Sequence, residues 1–174
     1  MILNNKPINL VFLDVDGVLN SCQTKERNGY YIGIEDKKVK LLKELVDKTD
    51  PKIILVSTWK MWWYADPSRK NRQDRSAKYL DAALARHNLK IIDKTYEYNF
   101  RNRGEGILYY LDNLKRSGIE VNNYVILDDM MFDYEKLKLK NHLVKTTFRW
   151  GLRDNHIDKA IKILENKSNT VFNA

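Results

Sequence analysis

The chain has 174 residues with 31 Lys+Arg against 23 Asp+Glu, a formal net charge of +8. Its 43% hydrophobic content, with seven Gly and three Pro, excludes a low-complexity or disordered chain, and one domain over residues 1–174 with a real core is expected. Cys22 is the only cysteine, which excludes an intrachain disulfide, and no run reaches the roughly 18 apolar residues needed to span a bilayer. A soluble, cytoplasmic protein with no membrane partner is therefore expected, and its positive charge favours polyanions if the cations cluster.

Asn9 to Val15 is a short apolar run that suits a strand buried on both faces. Asp36 to Asp47 follows as a helix, with Val39, Leu41, Leu42, Leu45 and Val46 at helical spacing and Asp36 as its N-cap. Ile53 to Val56 is a second strand entered after Asp50-Pro51, and it runs straight into Ser57-Thr58. Ser76 to His87 is a helix and Leu89 to Ile92 a third strand. Gly104 to Ser117 is a helix stopped by Gly118, Tyr124 to Leu127 a strand ending in Asp128-Asp129, His142 to Thr146 a weaker strand, and Asn155 to Leu164 a closing helix.

Strands alternating with helices imply βαβ units, hence a mainly parallel sheet covered on both faces. Ligands of such sheets bind at the carboxyl ends of the strands, which selects Asp14 and Asp16, then Ser57 and Thr58, then Asp128 and Asp129. In Asp14-Val15-Asp16-Gly17 two carboxylates share one side of an extended chain, ahead of a glycine that permits a sharp turn. Carboxylates that close repel one another, which implies a shared cation or a raised pKa on one member; a hard divalent ion, Mg²⁺ first, resolves the conflict, with Asp128 and Asp129 as further ligands. A bare Asp-x-Asp-Gly also occurs in solvated turns and calcium loops. The preceding apolar strand and the missing EF-hand pattern argue against both here.

At these residues the chain resembles the haloacid dehalogenase (HAD) superfamily. Its first motif is matched by Val11-Phe12-Leu13-Asp14-Val15-Asp16-Gly17-Val18, its second by Ile53-Ile54-Leu55-Val56-Ser57, its fourth by Tyr124-Val125-Ile126-Leu127-Asp128-Asp129, and its third best by Arg103 in Arg103-Gly104-Glu105-Gly106-Ile107. The resemblance implies a three-layer Rossmann-like α/β core with a mainly parallel five-stranded sheet. It implies Asp14 as the nucleophile of an aspartyl-phosphate, Asp16 as general acid and base, and Ser57 and Arg103 as the groups that hold the phosphoryl oxygens. Gly17, Thr58, Trp59 and Lys60 then become candidate substrate contacts, and Asp14, the Asp16 backbone carbonyl and Asp128 or Asp129 the Mg²⁺ ligands. Thr58 is the alternative to Ser57, Lys94 and Arg101 are alternatives to Arg103, and Asp133 is a candidate outer ligand.

Asp-Val-Asp-Gly-Val-Leu-Asn, Val-Ser-Thr-Trp-Lys, Arg-Gly-Glu-Gly-Ile and the late Gly151-Leu152 look more narrowly like the phosphatase-type domains of bacterial Swiss-army-knife RNA-repair proteins. No Gly-x-x-x-x-Gly-Lys-Ser/Thr loop occurs, so a stand-alone end-healing phosphatase acting on RNA or DNA phosphate ends is expected. Asn20 to Glu35 is too short for a folded cap, so the site should be open, with a minimal cap or none.

Trp59, Met61, Trp62, Trp63 and Tyr64, then Tyr96, Tyr98 and Phe100, offer stacking surfaces near the site. Trp62 and Trp63 could equally pack a loop or a dimer contact, and the Tyr96–Phe100 alternation could be an edge hairpin. His87, His142 and His156 lack metal-ligand spacing, Cys22 lacks a partner, and Lys136, Lys138, Lys140 and Lys145 read as a solvated face. Two other functions compete with a nucleic-acid phosphatase: a small-metabolite phosphatase, and a non-catalytic nucleic-acid or protein-binding module.

Overall fold

The computed structural model describes residues 6–96, 99 and 101–166. Its centre is a five-stranded sheet built from β1 (Ile8–Leu13), β4 (Pro51–Leu55), β5 (Ile91–Lys94), β6 (Val121–Asp128) and β7 (Leu143–Lys145). The order is β5-β4-β1-β6-β7 and every pairing is parallel. After β1 the chain builds outward through β4 and β5, then returns to the other side of β1 to add β6 and β7. That reversal opens a crevice at the carboxyl ends of β1 and β6, where such sheets bind ligands.

Alternation along β1 divides the core. Val11 and Leu13 face α1 (Asp36–Thr49), α2 (Arg75–Ala85) and α4 (Asp154–Glu165), where Leu42, Leu45, Leu80 and Ile157 are buried. Leu10 and Phe12 face the opposite layer, α3 (Arg103–Arg116) with Ile107 and Leu111, and the segment carrying Tyr134 and Leu139. Each such large apolar side chain, taken fully out of water, contributes about 1.5–3 kcal/mol. The three-layer α/β architecture is thus the expected one.

The boundaries depart from expectation in instructive places. Helix α1 is capped by Glu35 rather than Asp36, with no side-chain cap bond, and Asp36 instead binds His87 Nε2 at 2.6 Å and Lys40. Asp50 ends α1 in the left-handed conformation, and Pro51 opens β4 as its first residue, where a missing N–H is tolerated. Strand β5 runs two residues later than hydropathy indicates. Asp93 accepts from Tyr110 Oη at 3.2 Å, and Lys94 turns inward to the carbonyls of Lys60 and Trp63 at 2.8 and 2.6 Å.

Within the short segment after β1, the chain forms a small hairpin of β2 (Arg27–Asn28) and β3 (Tyr31–Ile32), turning through Gly29 at φ +65°. It docks on α2, where Asn28 Nδ2 donates to Ser76 Oγ at 3.0 Å and the Ile34 N–H to Tyr79 Oη at 3.2 Å. The expected open site therefore has a minimal flap beside it. Tyr98 and Phe100 lie outside the described residues, so their alternation is not part of this description. Among the described residues no helix is long and apolar enough to cross a membrane.

Candidate active site

Asp14 is the first residue past β1, and its N–H continues the ladder to Leu127 O at 2.9 Å, which carries its side chain into the crevice floor. Asp128 ends β6 and is fully buried. Its Oδ1 accepts the Met130 N–H at 2.9 Å, while Oδ2 accepts Arg103 Nη1 at 2.7 Å and the Tyr134 hydroxyl at 2.9 Å. Arg103 reaches in from the first turn of α3, and its Nη1 also lies 3.2 Å from Asp14 Oδ1. That approach is not aligned as a hydrogen bond: Asp14 Oδ1 is buried with no hydrogen-bond partner among the described residues.

Asp14, Asp128 and Asp129 each offer a carboxylate oxygen, all within 4.8 Å of one another. Burial first, and the Asp128 charge second, push the Asp14 carboxyl up to about 6, against the pull of Arg103 and the Ser57 hydroxyl. Burial raises Asp128 as well, and burial plus the charge of Asp14 raises Asp129. Burial opposes the Arg103 charge, but Asp14 and Asp128 outweigh it and hold the guanidinium above its ordinary value. One cation cannot neutralise three acids. An orphaned oxygen among converging carboxylates fits a hard divalent ion such as Mg²⁺, with Asp14, Asp128 and Asp129 as the residues that would hold it.

Gly17 permits this convergence. It stands at φ +71°, and a Cβ there would fall 2.4 Å from the Asp129 carboxyl. Its N–H donates to Asn20 Oδ1 at 2.9 Å and its carbonyl accepts the Thr146 hydroxyl at 2.6 Å, which pins the turn from both sides.

The Asp16 side chain is not part of that cluster of acids and is half-buried. Trp59 Nε1 donates to its Oδ2 at 2.9 Å and Asn20 Nδ2 to its Oδ1 at 2.8 Å. Ser57 is buried beside Asp14 and caps the 3-10 turn Thr58–Lys60, with Oγ accepting the Trp59 N–H at 3.4 Å. Lys60 is buried, its Nζ bonded to Thr95 Oγ1 at 2.9 Å. Among the alternatives for the basic residue, Lys94 is spent on loop carbonyls and Arg101 is exposed, whereas Arg103 meets the aspartates. Asp133 accepts the N–H groups of Gly104 and Glu105 at 2.7 and 3.1 Å, so it caps α3 and fixes the helix that carries Arg103.

Trp62 and Trp63 divide the two roles open to them. Trp63 is fully buried with Nε1 bonded to Asp81 at 2.8 Å, while Trp62 is 55% exposed. Trp62 joins Asp16, Tyr31, Thr58, Trp59, Met61 and Phe148 around a groove of about 660 Å³.

A model of the family described as HAD domain in Swiss Army Knife RNA repair proteins matches residues 10–157. This chain belongs to that family. No curated protein and no solved structure matches it. The matched span of this HAD domain runs from β1 into α4 and contains every acid of the cluster. Sequence reasoning passed over Tyr134, Asn20, Tyr31 and Phe148. Asn20, four residues past Asp16 across a glycine turn, had a local signal; the other three reach the site only through the fold.

Proposed function

We propose that this HAD domain is a Mg²⁺-dependent phosphatase that frees nucleic-acid ends of phosphate through an aspartyl-phosphate on Asp14. One observation carries the reading: the buried Asp14 oxygen without a hydrogen-bond partner among the described residues, set beside two further acids and a guanidinium. In this reading an Asp14 oxygen attacks phosphorus as the bond to the leaving oxygen breaks, and Asp16 gives that oxygen its proton. Asp16, now ionised, takes a proton from a water whose oxygen attacks the same phosphorus, releasing inorganic phosphate and restoring Asp14. Ser57 donates to the phosphoryl oxygens, and Arg103 adds positive charge while holding Asp128 in place. Bound by Asp14, Asp128, Asp129 and the Asp16 carbonyl, Mg²⁺ would supply charge neutralisation of the transferred group.

Three facts support nucleic-acid ends, 3′-phosphates first, as substrates. The family is described by its place in RNA repair proteins, the net charge is +8, and the flap leaves the groove beside Asp16 open, with Tyr31 73% exposed. The test is phosphate release from an aryl phosphate, mononucleotides and 3′-phosphorylated oligonucleotides, with Mg²⁺ or chelator. Release that favours oligonucleotides and falls by at least about 10⁴-fold in Asp14→Asn is expected. Preference for small phosphates would point to a metabolite enzyme, and release indifferent to Asp14 would remove catalysis from the account.

A further inference from the structure

The groove beside Asp16 lies on a particular side of the reaction. Asp16 delivers a proton to the leaving oxygen, so whatever that oxygen belongs to leaves the phosphorus on the Asp16 side. For a nucleic-acid end, that is the sugar and base of the terminal nucleotide.

The walls there are aromatic and come from three separate segments. Tyr31 belongs to the β2–β3 flap, Trp59 and Trp62 to the loop after β4, and Phe148 to the loop after β7. Trp62, Tyr31 and Phe148 keep 55%, 73% and 43% of their surface in water, an arrangement that packing of the chain alone does not require. Among the described residues no lysine or arginine lines the groove, although the chain is rich in both, and its charged lining residues are Asp16 and Asp74. Carboxylates would repel a second phosphate there, whereas a flat, neutral ring finds aromatic faces.

An exposed cation follows directly on Phe148 in the chain. Phe148, Arg149 and Trp150 are consecutive and exposed, and Arg149 lies 5.0 Å from the Trp150 ring centre. A second groove of about 970 Å³ has Trp150 in its lining and is of mixed charge, with Lys25, Lys37, Lys38 and Arg153 set among Glu26, Glu35 and Asp154. Phe148 lines the first groove and Trp150 the second, so the loop after β7 borders both.

We infer that the aromatic groove is a base subsite: it stacks the unpaired base of the terminal nucleotide, with Trp62 and Tyr31 as its main platforms. The inference rests on the phosphatase reading for the direction of the leaving group. A base lodged there cannot stay paired, so single-stranded and overhanging ends are handled in preference to blunt duplex ends.

The experiment compares kcat/KM for a 3′-phosphorylated oligoribonucleotide with that for the same strand whose last residue is abasic. In the wild type the base-bearing strand is favoured about ten-fold, the low end of stacking measured per base. Trp62→Ala brings that ratio close to one, and Tyr31→Ala, on a different element, lowers it too. A wild-type ratio near one, or a ratio unchanged in both variants, overturns the subsite while leaving the phosphatase intact. Should no Asp14-dependent release occur at all, the phosphatase reading fails by itself. The same comparison is then read as tryptophan quenching on titration with the two strands. Tighter binding of the base-bearing strand, lost in Trp62→Ala, upholds the subsite, and equal binding overturns it.

Discussion

The inner and outer halves of the site are built on opposite principles. At the floor, Asp14, Asp128 and Arg103 are all buried and stand on regular elements, a strand end, a strand end and a helix start. Burial at these fixed positions raises the Asp14 and Asp128 carboxyls, and at Asp14 the neighbouring Asp128 charge adds to it. One step outward, Asp16 sits on a turn and takes its orientation from the side chains of Trp59 and Asn20. The floor is thus preorganised at a cost in stability, whereas the rim is oriented by a few replaceable hydrogen bonds.

The two halves should fail differently when broken. Asp16→Asn removes the proton donor and acceptor but leaves the floor untouched, so kcat on an oligonucleotide should fall by about 10²–10⁴-fold. The loss should shrink on an aryl phosphate with an acidic leaving group, which departs without a proton. Equal loss on both substrates would mean that Asp16 serves the floor rather than the leaving oxygen.

A second test exposes the cost stored in the floor. The Asp14 carboxyl rises from 3.8 to about 6 on folding, so the native protein binds that proton more tightly than the unfolded chain. Without metal, this contribution is fully present below pH 3.8 and is lost as the pH rises through about 6. Relative to wild type, metal-free Asp14→Asn should therefore gain on the order of 2–3 kcal/mol between pH 4 and pH 8 in denaturant titrations. Mg²⁺ should raise the wild-type Tm at pH 8 and leave that of Asp14→Asn nearly unmoved. A parallel pH dependence in the two proteins would break the argument.

The smallest effect belongs to the rim. Trp59→Phe keeps an aromatic face, though a smaller one, but deletes the N–H that holds Asp16, and kcat should drop about ten-fold with KM little changed. As with Asp16→Asn, the drop should be greater for poor leaving groups. A change confined to KM would instead make Trp59 purely a wall of the groove.

How much of this was legible beforehand follows the same division. Asp14, Ser57 and Asp128 were readable because each ends a short apolar strand of a parallel sheet, and the chain must leave the sheet there. Arg103 was readable from its place at a helix start, yet only the 2.7 Å bond to Asp128 separates it from Lys94 and Arg101. The flap was missed even though Gly29 opens its two-residue turn, a recognised hairpin signal, because strands of two residues leave no hydropathic pattern. Strand β5 was displaced because its last residues are polar and satisfied by partners remote in sequence.

What the order of residues determined by itself is therefore the sheet and the acids at its edge: continuous apolar runs make strands buried on both faces, and polar residues stop them. Only the tertiary structure decided which charges meet and which aromatics remain in water. Arg103 and Asp128 are 25 residues apart, and Phe148 joins Tyr31 and Trp62 at the groove from the far end of the chain. Such meetings depend on where whole layers pack, and neither local propensity nor spacing carries that information.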